Sequence, residues 1–191
     1  MSPTFISLDL ELNQPSGRII QVGVCVGNCE QPEDEYVVKD WLIDPNEPIS
    51  EFIVGLTGIT DEDIKLKAVS CKQMAQELET LIATHQTFIN PVTWGGGDST
   101  DLLAAFLKHD IEFKQFGRRW IDVKTIHGML MLSRKKSPSG GLRSAMGKYG
   151  LHFKGQPHRA DVDAFNTLRL FFKLLKRQAA FESITEIAKN C

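Results

Sequence analysis

Between Phe5 and Glu11 the chain reads FISLDLE, and this strict alternation dictates how its first element can sit. A period of two makes it a β-strand, with Ile6, Leu8 and Leu10 on one side and Phe5, Ser7, Asp9 and Glu11 on the other. The first side is wholly apolar, so the strand belongs in a sheet with a covered face. The second side ends in two carboxylates about 7 Å apart at ~3.3 Å per residue. Like charges that close repel, so their shared side needs a physical reason.

Composition narrows the frame. The 191 residues are 42% hydrophobic and 24% charged, the balance of one globular domain with a real core, expected to span 1–191. The net charge of −2 gives no overall attraction for polyanions. Local charge is uneven, however, with Arg118-Arg119, Arg134-Lys135-Lys136 and Lys173, Lys176, Arg177 all in the second half. Cys25, Cys29, Cys71 and Cys191 form no CxxC pair, which fits reduced structural thiols in the cytoplasm. The opening MSPTFISLD has no basic region leading into an apolar run. No apolar stretch approaches the ~20 residues a bilayer requires, so no membrane association is expected.

Along the chain, RIIQVGVCV (18–26) and EYVVKDWLI (35–43) read as two further strands. Short turns favour an antiparallel meander. A short helix is expected near 49–55, stopped at Gly58. A second places Met74, Leu78, Leu81 and Ile82 on one face. FINPVTW (88–94) is a buried-strand candidate weakened by Pro91. Residues 99–109 read as a helix with Leu102, Leu103, Phe106 and Leu107 inward, and RRWID as a short strand or the entry to a helix. Helices are expected at 123–133 and 141–149, and a long buried one at 160–177, apolar on most sides and including Leu175. The order predicts an α/β domain with a mixed sheet, three antiparallel strands followed by parallel ones, flanked by helices.

Three acidic segments stand out. Asp9 and Glu11 end the first strand. Asp98 and Asp101 follow TWGGG, whose glycines allow a sharp turn or a close approach, although Asp98 or Ser99 in that place also suits a helix cap. PHRADVDAF brings His158, Asp161 and Asp163, where acids in a first helical turn complement the helix dipole without any site. Each segment has a plain structural explanation; three together, each at the edge of a core element, are harder to explain as surface. Two-metal phosphoryl transfer uses such a set. Hard cations take carboxylate oxygens, and two ions ~3.5–4 Å apart clamp the attacking and leaving oxygens. Four carboxylates with two divalent ions are neutral, which accounts for Asp9 and Glu11 standing together. A nearby imidazole can take the proton of the attacking water.

The ordered set resembles the DEDDh 3′–5′ exonuclease family, of RNase H-like fold. Asp9-Leu10-Glu11 matches its Asp-x-Glu, TWGGGD its second motif, and His158-Arg159-Ala160-Asp161-Val162-Asp163 its H-x-A-x-x-D. The resemblance covers nearly the whole chain and is nearest to eri-type exonucleases. It implies Asp9, Glu11, Asp98 and Asp163 as ligands of two Mg²⁺ ions, with Mn²⁺ able to substitute, and His158 as general base. It also implies Leu10, and Leu56 and Thr57 of PISEFIVGLTGIT, as contacts to the 3′-terminal nucleotide. The implied activity is hydrolysis of single-stranded RNA or DNA from 3′ ends to nucleoside 5′-monophosphates, with a slight lean to a homodimer. The chain departs from its relatives at Gly97, where an aromatic commonly precedes the second Asp, so Asp101 is a fallback ligand. On a helix i and i+2 diverge, so only one of Asp161 and Asp163 should face a metal. The competing readings are a non-cleaving module that binds nucleic-acid ends and an interaction protein with surface acids. RKKSPSGG (134–141) is expected to be a loop beside the site that meets phosphates, or simply a solvated loop. Trp94 and Trp120 could stack bases but sit in strand-like contexts that favour the core.

Overall fold

The computed structural model describes the backbone of residues 2–189 and side chains through Ser183. The expected meander is present: β1 (Phe5–Leu12), β2 (Ile19–Gly27) and β3 (Val37–Leu42) pair antiparallel. Two short strands, β4 (Val92–Thr93) and β5 (Ile121–Asp122), run parallel to β1 and complete the mixed sheet, in the order β3-β2-β1-β4-β5. Among the described residues seven α-helices surround it: α1 (Glu51–Thr57), α2 (Asp61–Lys67), α3 (Cys71–His85), α4 (Gly97–Lys108), α5 (Val123–Ser133), α6 (Leu142–Gly147) and α7 (Ala160–Lys189).

The alternation in β1 works as its chemistry requires. Ile6, Leu8 and Leu10 pack with Met74 and Leu78 of α3 and Leu102 and Phe106 of α4. On the other side Phe5 meets Phe171 and Phe172 of α7, edge to face at 5.0 and 6.0 Å. Ser7 on that side is buried, and its hydroxyl donates to the Ala164 carbonyl at 2.7 Å. Both faces of the central strand are therefore covered, which fixes its register: a one-residue slip would carry Asp9 and Glu11 into the apolar layer.

Several expectations needed correction. FINPVTW supplies only the two residues of β4, which follow Pro91, while Phe88 and Ile89 are exposed. In α4, Leu102 and Phe106 face the sheet, but Leu103 and Leu107 lie on the next stripe and point to water. Leu175 is likewise partly exposed. Helix α2 was not expected: it buries only Ile64 and has almost no apolar periodicity. Its start is nonetheless marked by a reciprocal capping box between Thr60 and Asp63. Trp94 and Trp120 are half-buried against the two main core clusters. Cys25, Cys29 and Cys71 are free thiols, and burial pushes the Cys25 thiol up; Cys191 lies outside the described residues. Among the described residues no helix is long and apolar enough to cross a membrane.

Candidate active site

The site forms where three segments meet at one end of the sheet, where β1 and β4 finish. Asp9 and Glu11 come from the last half of β1. Asp98 comes from the first turn of α4, just after β4 and its glycine loop. Asp163 comes from the first turn of α7. The glycine loop is held from below. Gly95, at φ +116°, donates its N–H to Asp122 Oδ1 at 3.1 Å, and its carbonyl accepts the Thr93 hydroxyl at 2.7 Å. Asp122 also caps α5 through the N–H groups of Lys124 and Thr125. Asp98 makes no cap, so the capping explanation for it falls away: Gly96 occupies the cap position and Asp98 follows inside the helix.

The electrostatics tie the acids into one cluster. Burial, then the charges of Asp98, Asp163 and Glu11, push the Asp9 carboxyl well above the ordinary range. Burial with Asp163 and Asp98 lifts Glu11 to about 7, against the opposing pull of Arg159. Asp98 is raised to about 7 by burial together with Asp101 and Asp122. Asp163 is raised by burial, although the His158 backbone N–H donates to its Oδ2 at 3.1 Å. These shifts share a first cause, burial, with neighbouring carboxylates adding to it at each position. Ligand atoms of Glu11, His158 and Asp163 lie within 4.8 Å of one another. His158 itself is exposed, in the left-handed region at φ +62°, on the loop that leads into α7. That conformation is uncommon for a residue with a Cβ and is held by the bond to Asp163.

What aims α7 at this end was not anticipated. Gly23 of β2 pairs with Asp9, and a Cβ there would stand 2.0 Å from the Ala160 carbonyl carbon and 2.1 Å from the Asp161 nitrogen. The start of α7 therefore rests directly on the strand. Fully buried Gln21 pins it: Gln21 Oε1 accepts from the Ala160 N–H at 3.0 Å, and Nε2 donates to Asp40 at 2.7 Å and to Asp161 at 3.3 Å. Arg159 lies 3.7 Å from both Asp40 and Asp161. Asp161 is thus consumed by this latch while Asp163 turns to Asp9 and Glu11, as the helical geometry requires. The sequence signal was a glycine inside a β-branched strand, which marks close backbone approach.

The expected nucleotide contacts are placed unevenly. Leu10 points its side chain into the core opposite the acids. The Thr57 hydroxyl is buried, donating to the Ile53 carbonyl at 2.8 Å and accepting from the Ile59 N–H at 3.0 Å, so it closes α1 rather than facing outward. Gly58 ends that helix at φ +74°. Leu56 is half-buried beside it. The RKKSPSGG loop starts at the far end of α5. The 11 residues of α5 carry it about 16 Å from the strand ends, at 1.5 Å per residue. Arg134 emerges next to Phe171 and Arg177 on the flank of α7.

Comparison with known proteins agrees with this geometry. A family model described as exonuclease, RNase_T, matches residues 6–171. The chain is 29% identical over 156 residues to the PolC-type DNA polymerase III of Streptococcus pneumoniae, covering 78% of this chain and 10% of that protein. It thus spans about a tenth of the length of the curated relatives it matches. Among solved structures, the nuclease domain of 3′hExo, described as a DEDDh family member bound to rAMP, superposes with a TM-score of 0.78 at 20% identity. That match covers 92% of this chain and 93% of the other. Cell-death related nuclease 4 gives 0.76 at 17% identity, covering 92% and 64%. Escherichia coli exonuclease I in complex with a dT13 oligonucleotide gives 0.70 at 16%, covering 95% and 43%. At these identities the structural likenesses speak for a shared fold.

Proposed function

The chain belongs to the RNase_T exonuclease family, of DEDDh type and RNase H-like fold, and on that premise we propose that it shortens single-stranded RNA or DNA from the 3′ end. The products are nucleoside 5′-monophosphates. One observation carries the reading: four carboxylates from three separate segments gather at one end of the sheet, all raised by burial, with Asp98 and Asp163 adding to the rise at both Asp9 and Glu11. The donor set suits hard divalent cations, being oxygen-rich, clustered and short of positive charge. Asp9, Glu11, Asp98 and Asp163 would hold two Mg²⁺ ions, or Mn²⁺ in their place. When bound, such ions supply charge neutralisation for the attacking and leaving oxygens of the phosphodiester.

The chain's own groups do the rest. His158, exposed on its loop and tethered to Asp163 through its backbone, accepts the proton of the attacking water at a ring nitrogen. Gln21 and Gly23 fix the start of α7 on β2, and so fix the distance from Asp163 to Asp9. The Leu56 side chain and the backbone at Leu10 flank the terminal nucleotide. Solved relatives support this substrate class, since their structures are described as bound to rAMP and to a dT13 oligonucleotide.

The test uses 5′-labelled single-stranded RNA and DNA of one sequence, incubated with Mg²⁺, with Mn²⁺ and with EDTA. The expected result is a ladder shortening from the 3′ end that EDTA abolishes. An intact substrate in every metal would overturn the assignment.

A further inference from the structure

Charge in this chain is sorted by position. Residues 1–122 contain twenty acids and nine Lys or Arg, whereas residues 123–181 contain twelve Lys or Arg and two acids, the Asp161 and Asp163 already placed. The second stretch is α5, α6, their connections and most of α7. Three of its cations have carboxylate partners: Lys154 and Arg169 share Glu33, and Arg159 lies between Asp40 and Asp161. Lys135, Lys136, Lys173, Lys176 and Arg177 are exposed and Arg134 half-buried. None of these six has an ion-pair partner among the described residues. Arg134 and Arg177 border one groove of about 530 Å³ between α5 and α7, floored by Leu130, Phe171 and Leu174. The Arg177 guanidinium is steadied over the Tyr149 ring, 5.8 Å from its centroid.

We propose that this flank of α5 and α7 is a second nucleic-acid surface, which grips the backbone of the polynucleotide upstream of the end held at the acids. The inference rests on the exonuclease reading and adds to it a site for the rest of the strand. Six cations without an ion-pair partner, carried by α7 and by the segment that follows α5, give a chain of net charge −2 a local field attractive to polyanions that the overall charge conceals. The helix that supplies Asp163 also supplies Lys173, Lys176 and Arg177, so both surfaces share one rigid element. Lys173 and Arg177 lie ten and fourteen residues beyond Asp163. That is about 15 to 21 Å along the helix axis at 1.5 Å per residue, or about four to six stacked nucleotides at 3.4 Å each. A trinucleotide reaches only the acids; a longer strand reaches both.

The variant K135A/K136A/K173A/K176A tests this on the full chain, with a trinucleotide and a 20-mer as substrates. The 20-mer KM should rise about tenfold or more with kcat unchanged, and the trinucleotide KM should not move. The slope of log affinity for the 20-mer against log salt should become shallower by about 3, at ~0.7 for each phosphate that a lysine no longer neutralises. Equal effects on both lengths, or an unchanged slope, would overturn the proposal. Poly-glutamate displacing the 20-mer as well as an unlabelled oligonucleotide does would also overturn it, in favour of an acidic protein partner. Anisotropy binding of the 20-mer in EDTA reads this surface without catalysis. If wild type cleaves nothing, the exonuclease reading fails, yet weaker binding by the variant still supports the surface and equal binding refutes it.

Discussion

Two carboxylate environments flank the same helix and end in opposite states. Glu33, on the short 3₁₀ turn Glu33–Glu35, accepts hydrogen bonds from Arg169 Nε and Lys154 Nζ, both at 2.8 Å. Burial alone would raise its carboxyl, yet those two bonds and their charges hold it below the ordinary value. Arg169 is itself satisfied, donating at 2.8 Å to the His152 carbonyl and to Asn166. By contrast Asp9, Glu11, Asp98 and Asp163 are raised, although Arg159 opposes the rise at Glu11 and His158 opposes it at Asp163. The difference is where the counter-charge comes from. A carboxylate that serves structure brings its cation within the fold. The clustered acids leave theirs to be supplied from outside, at a cost to the metal-free protein.

Substitutions can break that contrast at either end. The largest effect is expected at Asp9→Asn, which keeps the shape and removes the charge. Exonuclease activity should fall on the order of 10³-fold or more, since several kcal/mol of charge stabilisation go with it. The metal-free melting temperature should rise, because a repelling charge is gone. A variant with full activity would defeat the assignment. Gly23→Ala should come next. Its Cβ has no room against Ala160, so α7 must shift, at about 3 kcal/mol of stability in urea unfolding and on the order of 10²-fold in kcat. An unchanged kcat would show that the latch does not aim Asp163.

Arg169→Ala attacks the satisfied end. Asn166 and the His152 carbonyl lose a buried donor and half-exposed Glu33 loses one partner, so stability should drop by about 2 to 3 kcal/mol while metal-dependent activity survives. The gentlest probe is pH. Glu11 and Asp98 sit at about 7 in the folded protein, above ordinary values of 4.5 and 3.8. A raised carboxyl binds its proton more tightly when folded, so the metal-free protein should lose stability as pH rises through this window. Glu33 has the opposite sign: its contribution is present above its ordinary 4.5 and is lost as pH falls through its depressed value. Melting curves in EDTA should therefore decline toward pH 7.5, and Mn²⁺ should reverse that decline, by about 2.7 kcal/mol at a hundredfold excess over Kd. A flat EDTA profile would count against the repulsive cluster.

Local chemistry made part of this legible. The period of β1, the cap of α1 at Gly58 and the span of α5 are each written in a few adjacent residues. The three acidic segments were visible because, although each has a plain structural explanation alone, three of them at core edges are harder to explain as surface. Helix α2 was missed because one buried isoleucine leaves no periodic stripe, though Thr60 and Asp63 spelled its start. Leu103 and Leu107 misled because hydrophobicity names a residue that prefers burial without saying which stripe has a partner. Gln21 and Gly23 were passed over because their roles depend on Ala160 and Asp161, far along the chain.

The sequence by itself determined which residues could bind a metal and which strand would present two of them, because residue chemistry and a period of two are local properties. Only the tertiary structure decided that Gln21 and Gly23 seat the start of α7 on β2, that Thr57 turns its hydroxyl inward, and that Arg134 emerges beside Phe171 and Arg177 of α7. Those outcomes depend on how distant segments pack and on the length of the helices between them, and no short window of sequence contains either.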